Sequence, residues 1–92
     1  MNPITELAGV LCAINNQAAM LKFLSEIHTP GELRDISLRW RLMKMLKAGR
    51  AQRDIARELK ISLCKITRGS KILKNLASVT NQFLKVNQNR KY

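Results

Sequence analysis

The stretch from Gln52 to Lys74, QRDIARELKISLCKITRGSKILK, constrains this chain more than any other. Ile55, Ala56 and Leu59 place an apolar stripe on a first short helix. Ile61 plugs a tight turn, and Ile66 anchors a second helix that starts near Ser62. Ala56 is small enough for two helices to approach closely, and the Ser62 hydroxyl suits an N-cap because it can accept a backbone N–H bond from the first turn. The pattern predicts a helix-turn-helix. Its outer face carries Lys65, Thr67, Arg68, Lys71 and Lys74, with no carboxylate from Lys60 to Lys74. Such a face suits a polyanion. Charge alone would fit a helical hairpin with a solvated basic surface; the coincidence of apolar anchors, small residue and basic face favours DNA. Two positions cut against the pattern. Lys60 stands where such turns usually take glycine, and Gly69 lies inside the second helix at a cost of about 1 kcal/mol relative to alanine. A glycine there suits close approach of a ligand or phosphate.

Ninety-two residues suffice for one small domain with little core to spare, which partner subunits could supplement. Seventeen Lys and Arg against six acids give a net charge of +11. The asymmetry says more than the total. Residues 1–33 hold Lys22 against Glu6, Glu26 and Glu32, a net of −2, and residues 34–92 carry +13. A positive surface concentrated in the half with the helix-turn-helix binds phosphate backbones with steep salt dependence. No run of about 18 apolar residues exists and the N-terminus lacks a signal-peptide pattern, so the expectation is a cytoplasmic protein that does not span a membrane. Cys12 and Cys64 are the only cysteines, without a CxxC or a Cys/His cluster, which argues against metal and against a disulfide framework. Cys64 reads as a small packing residue near the turn. His28 has no partnered nucleophile, so no enzyme chemistry is expected.

Along the chain, Ile4, Leu7, Ala8, Leu11 and Ile14 recur at helical spacing, Asn15 and Asn16 make a break, and Met20, Leu21, Leu24 and Ile27 mark a second helix. Val10, Cys12, Ala13, Ala18, Ala19 and Phe23 widen these stripes toward burial on more than one side, in a dimer interface or in a core. Thr29, Pro30 and Glu32 predict an N-cap, a first helical position and a capping box. The third helix then buries Leu33, Ile36, Trp40 and Met43, broadened by Leu42, Met45 and Leu46, and ends at Ala48 and Gly49. Its other face shows Arg34, Arg39, Arg41, Lys44 and Lys47. Leu76, Val79, Phe83 and Val86 fit a last helix opening at Ser78, and the tail NQNRKY reads as disordered. No strand-like alternation and no repeat occur. The fold class is all-α, with about six helices.

The strings QRDIAREL and KITRGSKILK, with HTPGELRD and the pair Arg39 and Arg41, resemble the bacterial tryptophan repressor family over roughly Thr29 to Lys74, ITRGS being the most distinctive. The resemblance implies an intertwined homodimer in one domain: dimerisation helices over 1–28, a central helix over 29–49, a DNA-binding head over 52–75, and a last helix with tail over 76–92. It implies L-tryptophan as corepressor. Arg39 and Arg68 resemble the arginines that sandwich the indole ring, Arg68 also pairing with the carboxylate. Thr29 resembles a threonine near that carboxylate in the partner subunit, and Gly69 the glycine against which the ring lies. A guanidinium plane can both stack on an indole face and fork onto a carboxylate. Backbone carbonyls near Glu26 and His28 would receive the ammonium group. Two departures stand out: Ile72 replaces a serine often found at the ligand's polar end, and the turn between Gly49 and Gln52 has one residue fewer, which could re-aim the reading head.

For DNA, Arg53 resembles an arginine that reaches a guanine edge, and Gln52, Lys65, Thr67 and Lys74 resemble phosphate or groove contacts. Lys71 joins them on the basic face. Family members dock as helix-turn-helix dimers with largely water-mediated base contacts. The function implied is a tryptophan-dependent repressor on a near-palindromic double-stranded operator. The alternative is a tryptophan-independent DNA-binding module of the transposase or replication-initiator kind; the start at Met1 and the apolar helices favour a free-standing regulator. A cationic membrane-surface protein fits less well, because the basic residues fall on a turn-broken motif without one long amphipathic helix.

Overall fold

The structure is a computed structural model that describes the backbone of residues 2–88 and the side chains of residues 2–84. Six α-helices follow one another: α1 Pro3–Ala13, α2 Gln17–Ile27, α3 Pro30–Lys47, α4 Gln52–Leu59, α5 Leu63–Lys74 and α6 Val79–Gln88, with no strand among the described residues. Helix α6 therefore runs two residues into the tail expected to be disordered; residues 89–92 and the Val86 side chain lie outside the described residues. The chain divides into two compact units, Met1–Asp35 and Ile36–Tyr92, with α3 running through the boundary.

Local chemistry sets the helix ends. Asn2 Oδ1 accepts from Ile4 N–H at 2.9 Å and Asn16 Oδ1 from Ala19 N–H at 2.8 Å, so the expected break at Asn15 and Asn16 is the start of α2. Thr29 and Glu32 close the capping box reciprocally: Glu32 N–H donates to Thr29 Oγ1 at 3.1 Å, and Thr29 N–H donates to Glu32 Oε1 at 2.8 Å. At the other end of α3, Arg50 N–H donates to the Met45 carbonyl and Gly49 N–H to that of Leu46, the two bonds of a Schellman motif. That motif needs a left-handed residue, and Gly49 supplies it with φ +84°. After α4 the same conformation falls on Lys60, φ 55°, the position where glycine was the expected residue.

In the N-terminal unit, α1 and α2 bury no residue. Leu7, Leu11, Ile14, Met20, Phe23 and Leu24 are half-buried, while Ile4, Val10, Leu21 and Ile27 are exposed. The second unit holds the core. Leu42, Ile55, Leu59 and Ile66 form its centre, with Leu38, Met45, Leu46, Ala56 and Ile61 packed around it. Each of the buried side chains contributes about 1.5–3 kcal/mol through removal from water.

Two expected stripes are corrected. On α3 the line facing this core is Leu38, Leu42 and Met45, whereas Ile36 is exposed and Trp40 only half-buried. At 3.6 residues per turn, positions 36, 40 and 43 lie on nearly the opposite side of the helix from 38, 42 and 45, and α4 and α5 cover only one side. Helix α6 points inward with Asn81 and Leu84, not with Val79 and Phe83, and Leu76 is 90% exposed in the preceding turn. Asn81 can be buried because its polar atoms are satisfied: Lys47 Nζ donates to Oδ1 at 2.8 Å and Nδ2 donates to the Leu73 carbonyl at 3.1 Å. Cys64, expected to pack near the turn, is exposed, since it lies two residues and hence more than half a turn from the inward anchor Ile66.

Candidate ligand pocket and nucleic-acid interface

Helix α5 carries the chemistry. Ser62 caps it, Oγ accepting from Lys65 N–H at 3.4 Å, and Ile66 and Gly69 turn inward. On one side of that buried line stand Lys65, Arg68 and Ile72, spaced i, i+3 and i+7. On the other stand Thr67, Lys71 and Lys74, spaced i, i+4 and i+7. The two edges lie roughly 130° apart around the helix axis.

The first edge borders a cavity of about 330 Å³, lined by Arg39, Leu42, Met43, Lys65, Arg68, Gly69, Ile72 and Thr80. This volume is at the lower end of those that hold small ligands. Its floor is apolar and its rim carries two guanidinium groups, an ammonium and one hydroxyl. Arg39, Arg68, Gly69 and Ile72, all expected at a ligand site, thus meet at one place. Lys65, expected on phosphate, lines the same cavity. Thr29 belongs to the N-terminal unit, where its hydroxyl and N–H are used in the capping box. Leu42 and Met43 were legible only as core residues, and Thr80 gave no sequence signal at all.

Gly69 has a reason beyond a ligand. A Cβ built on it would lie 3.0 Å from Leu46 Cδ1 and 3.0 Å from Met43 Sδ, so the close approach of α5 to α3 already requires a residue without a side chain. Beside this pocket runs a more open apolar groove of about 490 Å³ lined by Ile36, Trp40, Val79 and Phe83, sharing Arg39, Met43 and Thr80 with it.

The second edge of α5 is a solvent-facing basic strip. Lys71 and Lys74 are exposed, as are Gln52 and Arg53 in the first turn of α4. Thr67 is exposed too, but its hydroxyl donates to the Leu63 carbonyl at 2.9 Å. To donate to a phosphate it must give up that bond. Helix α4 ends in the Lys60 turn and α5 begins two residues later, the tight connection that a helix-turn-helix requires. Among the described residues no group of His, Cys, Asp and Glu is placed to hold a metal ion, and no helix is long and apolar enough to cross a membrane.

No curated protein and no solved structure matches the chain. A family model described as Trp repressor protein matches residues 3–88, extending the likeness well beyond the central and reading-head segments. A match over nearly the whole chain, on six helices that include a helix-turn-helix with a basic outer edge, places this protein in the Trp repressor family of helical DNA-binding regulators.

Proposed function

We propose that this protein is a tryptophan-dependent transcriptional repressor that acts in the cytoplasm as a homodimer on a near-palindromic operator. The observation that carries the reading is the two-edged α5: Arg39, Arg68 and Gly69 line a cavity on one edge, and Thr67, Lys71 and Lys74 face away on the other. The cavity's residues fit L-tryptophan. Leu42, Met43 and Gly69 offer an apolar floor for the indole, Arg39 and Arg68 can stack on its faces, and Arg68 can fork onto the carboxylate. In the dimer, Thr29 of the partner subunit adds a hydroxyl at the carboxylate end. On DNA, Arg53 reads a guanine edge while Gln52, Thr67, Lys71 and Lys74 hold phosphates.

Gating follows as a population shift. A ligand wedged against both α3 and α5 stabilises one placement of the reading helix, and it shifts affinity for DNA by as much as it prefers that placement. The uncovered apolar residues of α1 and α2, Ile4, Val10, Leu21 and Ile27, support a second copy as their cover, with 1–28 as dimerisation helices. Calorimetric titration with L-tryptophan, with and without operator-like duplex, tests the reading. Saturable binding that tightens on DNA is expected. Intact DNA binding with no tryptophan response would assign the chain to tryptophan-independent DNA-binding modules instead.

A further inference from the structure

The charges around the pocket do not match a zwitterion. Arg39, Lys65 and Arg68 line it, no carboxylate does, and the Thr80 hydroxyl is the one side-chain hydrogen-bond acceptor among its oxygen- and nitrogen-bearing lining groups. Ile72 brings no polar atom to the edge it shares with Arg68. A carboxylate placed here is attracted by all three cations, whereas an ammonium beside it is repelled by the same three and has only a hydroxyl to accept its protons. Lys65 stands one helical turn before Arg68 on the same edge, so both reach toward one acid group.

We propose that the pocket is selective for a deaminated aromatic acid, an apolar ring on a short chain that ends in a carboxylate and carries no amine, and that Lys65 sets this preference. The inference rests on the ligand-gating reading above and narrows its ligand class. An opposite charge at about 4 Å is worth on the order of 1 kcal/mol in water and more where solvent is partly excluded, so removing the ammonium tightens binding about tenfold.

The test uses three ring-matched probes: indole-3-propionate, L-tryptophan and tryptamine, which carry the acid alone, both groups, and the amine alone. Each is titrated calorimetrically into the full chain without DNA. Indole-3-propionate is expected to bind about tenfold tighter than L-tryptophan, with tryptamine weakest. Lys65 is exposed, so its variants keep the fold, which circular dichroism checks. Lys65→Ala should narrow the ratio between the two acids severalfold. Lys65→Glu should invert it, because a carboxylate at that point receives the ammonium and repels the acid.

L-tryptophan binding at least as tightly as indole-3-propionate overturns the inference, as it would if carbonyls near Glu26 and His28 captured the ammonium. So does a ratio unchanged by Lys65→Ala and Lys65→Glu. A Lys65→Ala protein that loses ligand-free DNA affinity while keeping the parent's ligand affinities assigns Lys65 to phosphate and overturns it as well. The gating reading is judged separately, by whether either bound acid changes DNA affinity: a tighter indole-3-propionate without any effect on DNA supports the pocket's selectivity and removes gating, and absence of binding by all three probes removes both.

Discussion

Lys47 Nζ lies 2.8 Å from Asn81 Oδ1, and this bond ties the last turn of α3 to the first turn of α6. Asn81 is only 6% exposed and also donates to the Leu73 carbonyl at the end of α5, so one side chain joins three helices. Asn81→Ala leaves that carbonyl and the lysine without their partner. The expected cost is about 1–3 kcal/mol in urea unfolding, and Asn81→Asp, which retains the acceptor but not the donor, should cost less. Parent-like stability in Asn81→Ala would remove this tie as a structural determinant.

At Gly69 two effects of similar size oppose each other. Alanine gains about 1 kcal/mol of helix propensity, while its Cβ at 3.0 Å from Leu46 Cδ1 and Met43 Sδ costs about 1 kcal/mol or more of overpacking. Both neighbours are ends of flexible side chains that can yield slightly. Gly69→Ala should therefore stay within about 1 kcal/mol of the parent. Gly69→Leu should cost several times that and abolish ligand binding, since its side chain would push α5 from α3. A stable Gly69→Leu protein with an intact pocket would contradict the close approach.

Lys60 holds a left-handed conformation that glycine adopts without a Cβ clash. The gain on replacing it is reduced by glycine's larger unfolded-state entropy, leaving Lys60→Gly about 0.5–1 kcal/mol more stable, or several degrees in Tm. Lys60→Val should move Tm the other way. The comparison in a thermal melt reads the strain of the turn directly.

Glu32 has its pKa lowered, first by the Thr29 backbone N–H and next by the Thr29 hydroxyl, with a smaller contribution from His28. A carboxylate with a depressed folded pKa contributes stability that is present above its unfolded pKa and is lost as pH falls through the folded value. The start of α3 should accordingly loosen on acidification below the ordinary glutamate range. In an NMR titration Thr29→Ala should move the Glu32 midpoint upward; an unmoved midpoint would mean that the capping box does not hold the charge.

Arg53 and Lys74 are both exposed and basic, and they should fail differently. Arg53→Ala should cost on the order of 1–3 kcal/mol on operator and less on scrambled duplex, relaxing sequence preference. Lys74→Ala should weaken both duplexes nearly equally and flatten the salt dependence by about one unit. Equal, sequence-blind losses would make Arg53 another phosphate anchor.

The ends of the helices were the most legible part of this chain, because Asn16, Thr29 with Glu32, Gly49 and Ser62 act through bonds to residues two to four positions away. The core of the reading head was legible for a related reason: Ile55, Leu59 and Ile66 follow helical spacing around a short turn. The faces of α3 and α6 were not. Which side of α3 is covered depends on where α4 and α5 return, and α6 buries an asparagine that hydrophobic spacing ranks below Val79 and Phe83. At the pocket, Arg39, Arg68, Gly69 and Ile72 came from resemblance, while Lys65 was ambiguous because a lysine on a basic helix reads the same toward DNA or toward a cavity.

Helix α5 presents its cavity edge and its basic edge on one rigid rod, and this imposes a reciprocity on the two partners. Whatever factor an occupied cavity adds to the affinity for duplex, bound duplex must add to the affinity for the small molecule, since both paths lead to the same ternary complex. Operator DNA therefore acts as an effector of the pocket, and the molecule reports its regulatory state from either side of a single helix.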